Sequence, residues 1–149
     1  MTDMLHKITK AWTRAWAGGD FSVFESIVAP DYKRHSKSGD ESLEEVAEQA
    51  RVQHEAFSDY EMNVLTAIEG DNVVAVHWQS SGTHTGEFMG VPPTGKRVTV
   101  TGASFIKHKD GLITEESVVW DPRDMLSSMS IWHLGDQRSS RRKAADGGH

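Results

Sequence analysis

Apolar residues in the first part of the chain recur at intervals of three and four, the period of a helix with one buried face. The pattern runs from Leu5 to Trp16 and predicts an amphipathic helix that ends at Gly18-Gly19. Asp20 is a good helix-capping residue, so a second, short helix is predicted from there to the break at Ala29-Pro30. The chain therefore opens with two helices.

A third helix is predicted from Ser42 to about Phe57. Ser42 and Glu45 have the spacing of a capping box, in which each side chain accepts a hydrogen bond from the other residue's backbone N–H. Between the second and third helices, residues 31–35 are predicted to form a short extended segment.

Beyond residue 57 the period changes to two, which is typical of half-buried strands. Alternating apolar residues from Met62 to Ile68, and an apolar run from Val73 to Trp78, flank the turn signal Gly70-Asp71-Asn72. This arrangement predicts a β-hairpin. A loop rich in Gly and Pro follows, from Gly86 to Gly95.

The last part of the chain predicts a second hairpin. Asp110-Gly111 is a signal for a two-residue turn, and it separates strands predicted over residues 97–107 and 113–121. Asp121-Pro122 ends the sheet. A short amphipathic helix is then predicted through Met125, Leu126, Met129 and Trp132.

Helices that precede a run of antiparallel strands are typical of an α+β domain. We expect residues 1–134 to form one such domain, with the N-terminal helices packed over the concave face of a curved, cone-shaped antiparallel sheet. A cone of this kind can hold a pocket. Residues 135–149 are rich in basic groups and are predicted to be a flexible tail.

Composition narrows the classes of function. The 149 residues carry 16 basic and 22 acidic groups, a net charge of −6, which disfavours binding to nucleic-acid phosphates. The absence of cysteine excludes disulfides and thiolate chemistry, and no apolar run reaches the roughly 20 residues of a membrane helix. Because the N-terminus also lacks an apolar signal stretch, we predict a cytoplasmic protein that binds neither nucleic acid nor membrane.

Eight histidines raise the question of a metal site. None lies in a His-Glu-x-x-His motif, and the interval between His77 and His84 does not suit two ligands on one face of a strand. No metal site is predicted.

The second hairpin brings a carboxylate to the end of a strand. A two-residue turn at Asp110-Gly111 would pair Ser104 with Ser117, and the same register places Asp121 at the far end of the pair. One face would then carry Ser104, Ser117, Val119 and Asp121, joined from the preceding strand by Trp78, Ser80 and His84. An apolar wall with a few hydroxyl groups and one carboxylate is typical of a small-molecule pocket.

The opposite face is expected to be too apolar to remain in water, and we predict that it forms the interface of a homodimer, or of a tetramer. It would carry Phe105, Glu116, Val118 and Trp120. Asp121 itself has two readings from the residues alone. An Asp before Pro often caps a turn or a helix, whereas a carboxylate in a pocket is a candidate acid or base.

Two stretches resemble the SnoaL-like polyketide cyclase, or ester cyclase, family. One is Gly82-Thr-His-Thr-Gly86-Glu-Phe-Met-Gly90, followed by Pro93-Thr-Gly95-Lys96. The other is Gly111-Leu-Ile-Thr-Glu115, with Asp121 six residues further on. Asp31-Tyr32 with His35, and the segment 56–60, also look like family segments. The resemblance implies the nuclear-transport-factor-2-like cone fold.

In that family, the Asp at the end of the last strand is the acid and base of an intramolecular aldol cyclisation that uses no metal or organic cofactor. Asp121 is the matching residue. The resemblance therefore implies a small, polyketide-like carbonyl substrate in a pocket that excludes water, where the proton affinity of a carboxylate is raised. His84 and His35 are expected to polarise or position a carbonyl oxygen. The residues expected to bind the substrate are Trp78, Ser80, Ser104, Ser117, Val119, Trp12 and Trp16.

The chain also departs from the family pattern. Many relatives have His-Trp where this chain has Glu116-Ser117, which changes the pocket and leaves the particular ring closure open. Since several chemistries share this cone, two alternatives stay beside a cyclase or isomerase: a hydroxylase or hydrolase, and a non-catalytic binding or dimerisation module. An epoxide hydrolase would need an Asp-Arg-Asp arrangement, with Arg97 or Arg123 inside the pocket. A filled interior would favour the module.

Overall fold

A computed structural model describes residues 2–36 and 39–129, which form four helices and one six-stranded sheet. In chain order the elements are α1 (Thr2–Gly18), α2 (Ser22–Ser26), β1 (Val28–Ser36), β2 (Gly39–Glu41), α3 (Leu43–Ala56), β3 (Phe57–Gly70), β4 (Val73–His84), β5 (Arg97–Lys109), β6 (Leu112–Trp120) and α4 (Pro122–Ser128). Trp132 and the predicted basic tail lie outside the described residues.

The helix boundaries follow from local chemistry. The predicted capping box of α3 is confirmed: the Ser42 hydroxyl accepts from the Glu45 N–H, and the Glu45 carboxylate accepts from the Ser42 N–H. At the end of α1, Gly19 has a φ of 73°, a left-handed conformation that Gly adopts without steric strain. Asp20 lies just before α2, where its carboxylate accepts from the N–H and the hydroxyl of Ser22.

The sheet has the strand order β2-β1-β6-β5-β4-β3. Its neighbouring strands are antiparallel except for β1 and β6, which run parallel, so the sheet is mixed rather than purely antiparallel as expected. No local pattern in the sequence predicts this pairing, because β1 and β6 are far apart in the chain. The predicted α+β architecture, a curved open sheet with N-terminal helices packed against it, is confirmed.

The predicted register of the second hairpin is correct at the turn and wrong beyond it. Lys109 pairs with Leu112 across Asp110-Gly111, as expected, but Thr114 has no partner on β5 and forms a β-bulge. The extra residue exchanges the two faces of β6 from that point on, so Ser104 pairs with Val118 instead of Ser117.

The bulge decides which side chains of β6 enter the core. Glu116 and Val118, predicted on the outer face, are buried on the inner one, and Trp120 lines the interior. Ser117 and Val119, predicted to face the pocket, lie on the outer face, where Val119 is 58% exposed.

The loop between β4 and β5 is closed at its base by His84. The His84 N–H donates to the Lys96 carbonyl at 2.9 Å, and the His84 carbonyl accepts from the Gly95 N–H at 2.8 Å. The ring nitrogen Nδ1 accepts from the Thr94 N–H at 3.2 Å, so this nitrogen carries no proton. Burial lowers the pKa of His84, which keeps the ring neutral.

Because the His84 ring is neutral in the folded protein, we expect the free energy of unfolding to decrease in acid. Unfolded His84 binds a proton below its ordinary pKa of about 6.5, whereas the folded ring resists protonation, so the free energy of unfolding falls as the pH drops below about 6.5. In His84→Asn, whose side-chain oxygen can still accept from Thr94, this part of the pH dependence is absent. Urea unfolding of both proteins at several pH values between about 5 and 8 measures the difference. Equal pH slopes would contradict the assignment.

Gly102 is required by the packing of a tryptophan ring. A Cβ atom at this position would lie 2.7 Å from Cη2 of Trp78 and 2.8 Å from the Val119 carbonyl oxygen. We expect Gly102→Ala to lower the free energy of unfolding by about 1–3 kcal/mol, because neither the packed ring nor the backbone can yield freely. Gly18→Ala is the matched control, since a Cβ there meets nothing within 4 Å. Chemical denaturation compares the two, and equal stabilities would refute the packing argument.

Candidate functional site

A cavity of about 570 Å³ lies between the inner face of the sheet and helices α1, α3 and α4. Its volume is in the range of pockets that bind small organic molecules. Aromatic side chains form a large part of its wall: Trp12, Trp16, Phe57, Tyr60, Trp78, Phe88 and Trp120. A planar, partly apolar ligand would suit such a wall, because these rings offer wide flat surfaces.

Several of the predicted substrate-binding residues line this cavity. Trp12 and Trp16 reach it from α1, and their rings lie 6.4 Å apart, centroid to centroid. Trp78, Ser80 and Ser104 reach it from β4 and β5. Trp78 is fixed in place, because its indole N–H donates to the Ser104 hydroxyl at 3.2 Å. The interior is therefore hollow, as an enzyme or a ligand-binding protein requires.

Ser117 and Val119 are the exceptions among the predicted substrate-binding residues. They lie on the opposite face of β6 because the bulge at Thr114 reverses the predicted alternation. The prediction that they face the pocket is wrong.

The structure does not bring the two predicted histidines to the cavity wall. His84 is buried at the base of the loop, where its ring stacks near Phe57 with centroids 5.4 Å apart. His35 is partly exposed on β1, where its Nδ1 lies 2.7 Å from the Asp40 carboxylate and its Nε2 lies 3.7 Å from Glu115. Neither ring is among the residues that line the cavity.

Asp121 lies at the end of β6, between two residues that line the cavity, Trp120 and Pro122. Its carboxylate caps α4 by accepting from the Arg123 N–H at 2.9 Å. The same carboxylate accepts from Nε and Nη2 of the Arg123 guanidinium, and Arg123 is 77% exposed. In this conformation Asp121 is a helix cap, one of the two roles that the sequence left open, and it is not itself among the residues that line the cavity.

A buried polar cluster that the sequence did not reveal forms one part of the cavity wall. Arg34 on β1 donates through Nη1 to the Glu41 carboxylate at 3.2 Å and to the Gln49 side-chain oxygen at 3.1 Å. Gln49 in turn donates to Glu41. All three side chains line the cavity, and the guanidinium carbon of Arg34 lies 4.9 Å from the centre of the Trp16 ring.

Behind this cluster lies Glu116, which is completely buried. Its carboxylate accepts from the indole N–H of Trp12 at 3.2 Å and from the Tyr32 hydroxyl at 3.3 Å. Nε of Arg34 is 3.9 Å from the same carboxylate. Burial, together with the charge of Glu116, raises the pKa of Tyr32, so this hydroxyl stays protonated as a donor.

One sequence signal could have found part of this cluster. Tyr32 and Arg34 alternate along β1 and so share its buried face. Glu116 could not have been assigned to the same site, because its side depends on the bulge at Thr114.

A second polar pair lies at the edge of α3. The Tyr60 hydroxyl donates to the Gln53 side-chain oxygen at 3.1 Å, and burial raises the pKa of Tyr60 to about 12. Both residues line the cavity. Tyr60 therefore acts as a neutral hydroxyl there.

Within residues 2–36 and 39–129, no three His, Asp or Glu side chains lie close enough together to hold a metal ion. None of the helices in the same part of the chain is both long enough and apolar enough to span a membrane.

Solved structures of other proteins share this architecture. AclR of Streptomyces galilaeus, a "putative hydroxylase", shares 26% sequence identity, with 87% of this chain and 94% of that chain covered and a TM-score of 0.71. IdmH of Streptomyces antibioticus, a "putative polyketide cyclase", shares 24% identity over 87% of this chain and 98% of that one, with a TM-score of 0.72.

TsrD of Streptomyces laurentii shares only 15% identity but has a TM-score of 0.79, with 88% of this chain and 98% of that chain covered. Such a likeness shows the fold, and another neighbour of this kind is described as having the ketosteroid isomerase-like fold. The chain therefore has the nuclear-transport-factor-2-like fold that the resemblance implied. No curated protein sequence matches the chain significantly.

The family model for SnoaL-like polyketide cyclases matches residues 6–129, which include the helices, the whole sheet and the cavity between them. From this match, we conclude that the chain belongs to the SnoaL-like polyketide cyclase family.

Proposed function

We propose that this protein is an acid/base enzyme of the cyclase or isomerase type, which encloses a polyketide-like carbonyl compound in its aromatic cavity. The observation that carries the proposal is the cavity itself, about 570 Å³ in volume, whose wall combines four tryptophan rings with a cluster of polar side chains. A dimerisation module would have no need of such an interior. Family membership supports a cyclase or isomerase as the class of reaction.

We propose Asp121 as the group that moves the proton. Its carboxylate takes a proton from a carbon next to a carbonyl group, and the electron pair of the broken C–H bond forms a C=C bond as the carbonyl oxygen becomes negative. In a cyclisation, this carbon then attacks a second carbonyl of the same molecule, whose oxygen receives the proton back from Asp121. No electrons leave the substrate, so the step needs no oxidant or reductant.

The conformation of Asp121 is compatible with this role. Its partner Arg123 is largely exposed, and an exposed ion pair contributes only about 0–1 kcal/mol. If the carboxylate turns away, the α4 cap is also lost, which costs a further amount of about 0.5–2 kcal/mol, and binding of the substrate would have to compensate this cost. The residues on either side of Asp121, Trp120 and Pro122, line the cavity, which supports a position of the carboxylate close to a bound ligand. Rotation about its Cα–Cβ bond would present the carboxylate to a bound ligand.

The variant Asp121→Asn distinguishes the helix-capping role of this residue from its proposed role as a base. Asn caps helices about as well as Asp, so we expect the melting temperature to change by only a degree or two. Turnover should fall by about 100-fold or more, because the amide cannot accept the proton. The measurement is chromatographic detection of cyclised or isomerised product from a panel of aromatic β-keto esters and ketones, with a substrate accepted by the wild-type protein.

Asp124→Asn is the matched control, because Asp124 also lies in the first turn of α4 but is exposed and does not line the cavity. It should retain wild-type turnover. Full activity of Asp121→Asn on the same substrate would refute the role of Asp121.

A hydrolase is the second candidate function, and one feature of the cavity favours it. Arg97 and Arg123, the arginines considered for an Asp-Arg-Asp arrangement, do not line the cavity. Arg97 instead pairs with Asp59 and Glu61 on the protein surface. Arg34, by contrast, lies between the Glu41 and Glu116 carboxylates. Opening of an aryl epoxide by the wild-type protein, retained in Asp121→Asn, would indicate this function instead.

The homodimer remains part of the proposal. The outer face of the sheet exposes apolar side chains, although not the set predicted from sequence: Phe105 and Val119 are outside, with Leu65, Ile68 and Leu112 also exposed. Light scattering on the purified protein would determine its mass in solution.

A further inference from the structure

The guanidinium group of Arg34 has one side that the protein itself does not use. Its central carbon lies 4.9 Å from the centre of the Trp16 ring, and Nη1 donates to Glu41 and Gln49. Nε faces Glu116 at 3.9 Å, too far for a hydrogen bond. The other terminal nitrogen, Nη2, makes no hydrogen bond with any described residue.

The position of Arg34 leaves the cavity as the place for an acceptor. The side chain is only 10% exposed and lines the cavity wall, and Glu41 and Gln49 hold it from one edge. A guanidinium has five N–H donors in a fixed fork, so the orientation of Nη1 and Nε also fixes the direction in which Nη2 donates. Arg34 is thus a preorganised donor in the wall that a ligand must touch.

The charges around Arg34 determine at which stage of a reaction its hydrogen bond to a substrate oxygen is strongest. Glu41 and Glu116 more than offset the charge of Arg34, and the exposed Glu48 and Glu87 are also among the lining residues. An anion in the cavity therefore finds a hydrogen-bond donor in Arg34 but no net positive charge in the cluster. An oxygen that becomes negative only during the reaction gains a charge-assisted hydrogen bond at that moment, which is the differential binding that accelerates a chemical step.

We propose that Arg34 is a catalytic residue that donates through Nη2 to the substrate's carbonyl oxygen and stabilises the negative charge that forms on it. This inference rests on the proposed function for its reaction and extends it by naming the group that binds the oxygen. When the C–H proton passes to the base, the C=O electron pair moves onto oxygen, and the hydrogen bond from Arg34 strengthens. When the new C–C bond forms, that pair returns and the hydrogen bond weakens.

The test uses 4-nitro-1-naphthol, a planar probe whose neutral and ionised forms have different absorption spectra. Its negative oxygen stands for the enolate oxygen, and it has no acidic C–H bond to lose. Its binding is followed by quenching of the cavity tryptophans, and the pKa of the bound probe is read from its spectrum. This reading does not depend on Asp121, so it is separate from the test of the proposed function.

Two variants separate the effect of the Arg34 hydrogen-bond donor from the effect of the net charge around it. Arg34→Gln/Glu41→Gln removes one positive and one negative group, so the net charge of the cluster is unchanged, and Glu116, which loses Arg34 at 3.9 Å, keeps its hydrogen bonds from Trp12 and Tyr32. Glu41→Gln alone retains the donor. Arg97→Gln, outside the cavity lining, is the control for a general loss of positive charge.

We expect the ionised probe to bind about ten- to a hundredfold more weakly to the double variant than to the wild type, the usual worth of a hydrogen bond to a charged group. The pKa of the bound probe should be lowest in Glu41→Gln, intermediate in the wild type and highest in the double variant. Arg97→Gln should match the wild type.

Equal affinity of the ionised probe for the wild type and the double variant would overturn the proposal, as would the lack of saturable binding to the wild type. Turnover adds an independent reading. If Arg34 acts on the developing charge, the double variant should lose kcat by about ten- to a hundredfold with a smaller change in KM. A loss confined to KM would assign Arg34 to ground-state binding alone and would likewise overturn a catalytic role.

Discussion

The Glu116 carboxylate is the group on which the arrangement of this interior depends. A fully buried carboxylate is costly unless hydrogen bonds and opposite charge compensate it. Its compensation comes from three residues in two distant parts of the chain: Trp12 on α1, and Tyr32 and Arg34 on β1. The requirement to satisfy one anion therefore ties the first helix to the parallel strand pair in the middle of the sheet.

The same requirement shapes the cavity. With Trp12 held by Glu116 and Trp78 held by Ser104, indole rings from opposite sides are fixed as walls instead of collapsing into the space between them. Arg34 is also fixed in position, because its guanidinium group contacts Glu41, Gln49 and Trp16. Rigid aromatic walls with polar groups at fixed positions are what an enzyme needs to orient a flexible carbonyl compound.

Two features of the site show where inference from the residues was sound. Trp78 and Ser104 were predicted to share one face of the sheet and do so, because β4 and β5 pair without a bulge between these residues. The capping box of α3 likewise depends on residues three positions apart. By contrast, Ser117 and Val119 were placed on the wrong face because a single unpaired residue, Thr114, reverses the alternation on β6.

The sequence by itself determined the helices, the turns, the order of α and β elements and the family, since each depends on short-range periodicity or on local motifs such as Asp110-Gly111 and the segment 82–96. Only the tertiary structure decided that β1 lies parallel to β6, that Glu116 points inward and that Arg34 joins it at the cavity wall. The physical reason is that pairing between distant strands, and the compensation of a buried charge, depend on which surfaces meet in space. No local pattern in the sequence specifies which distant surfaces come into contact.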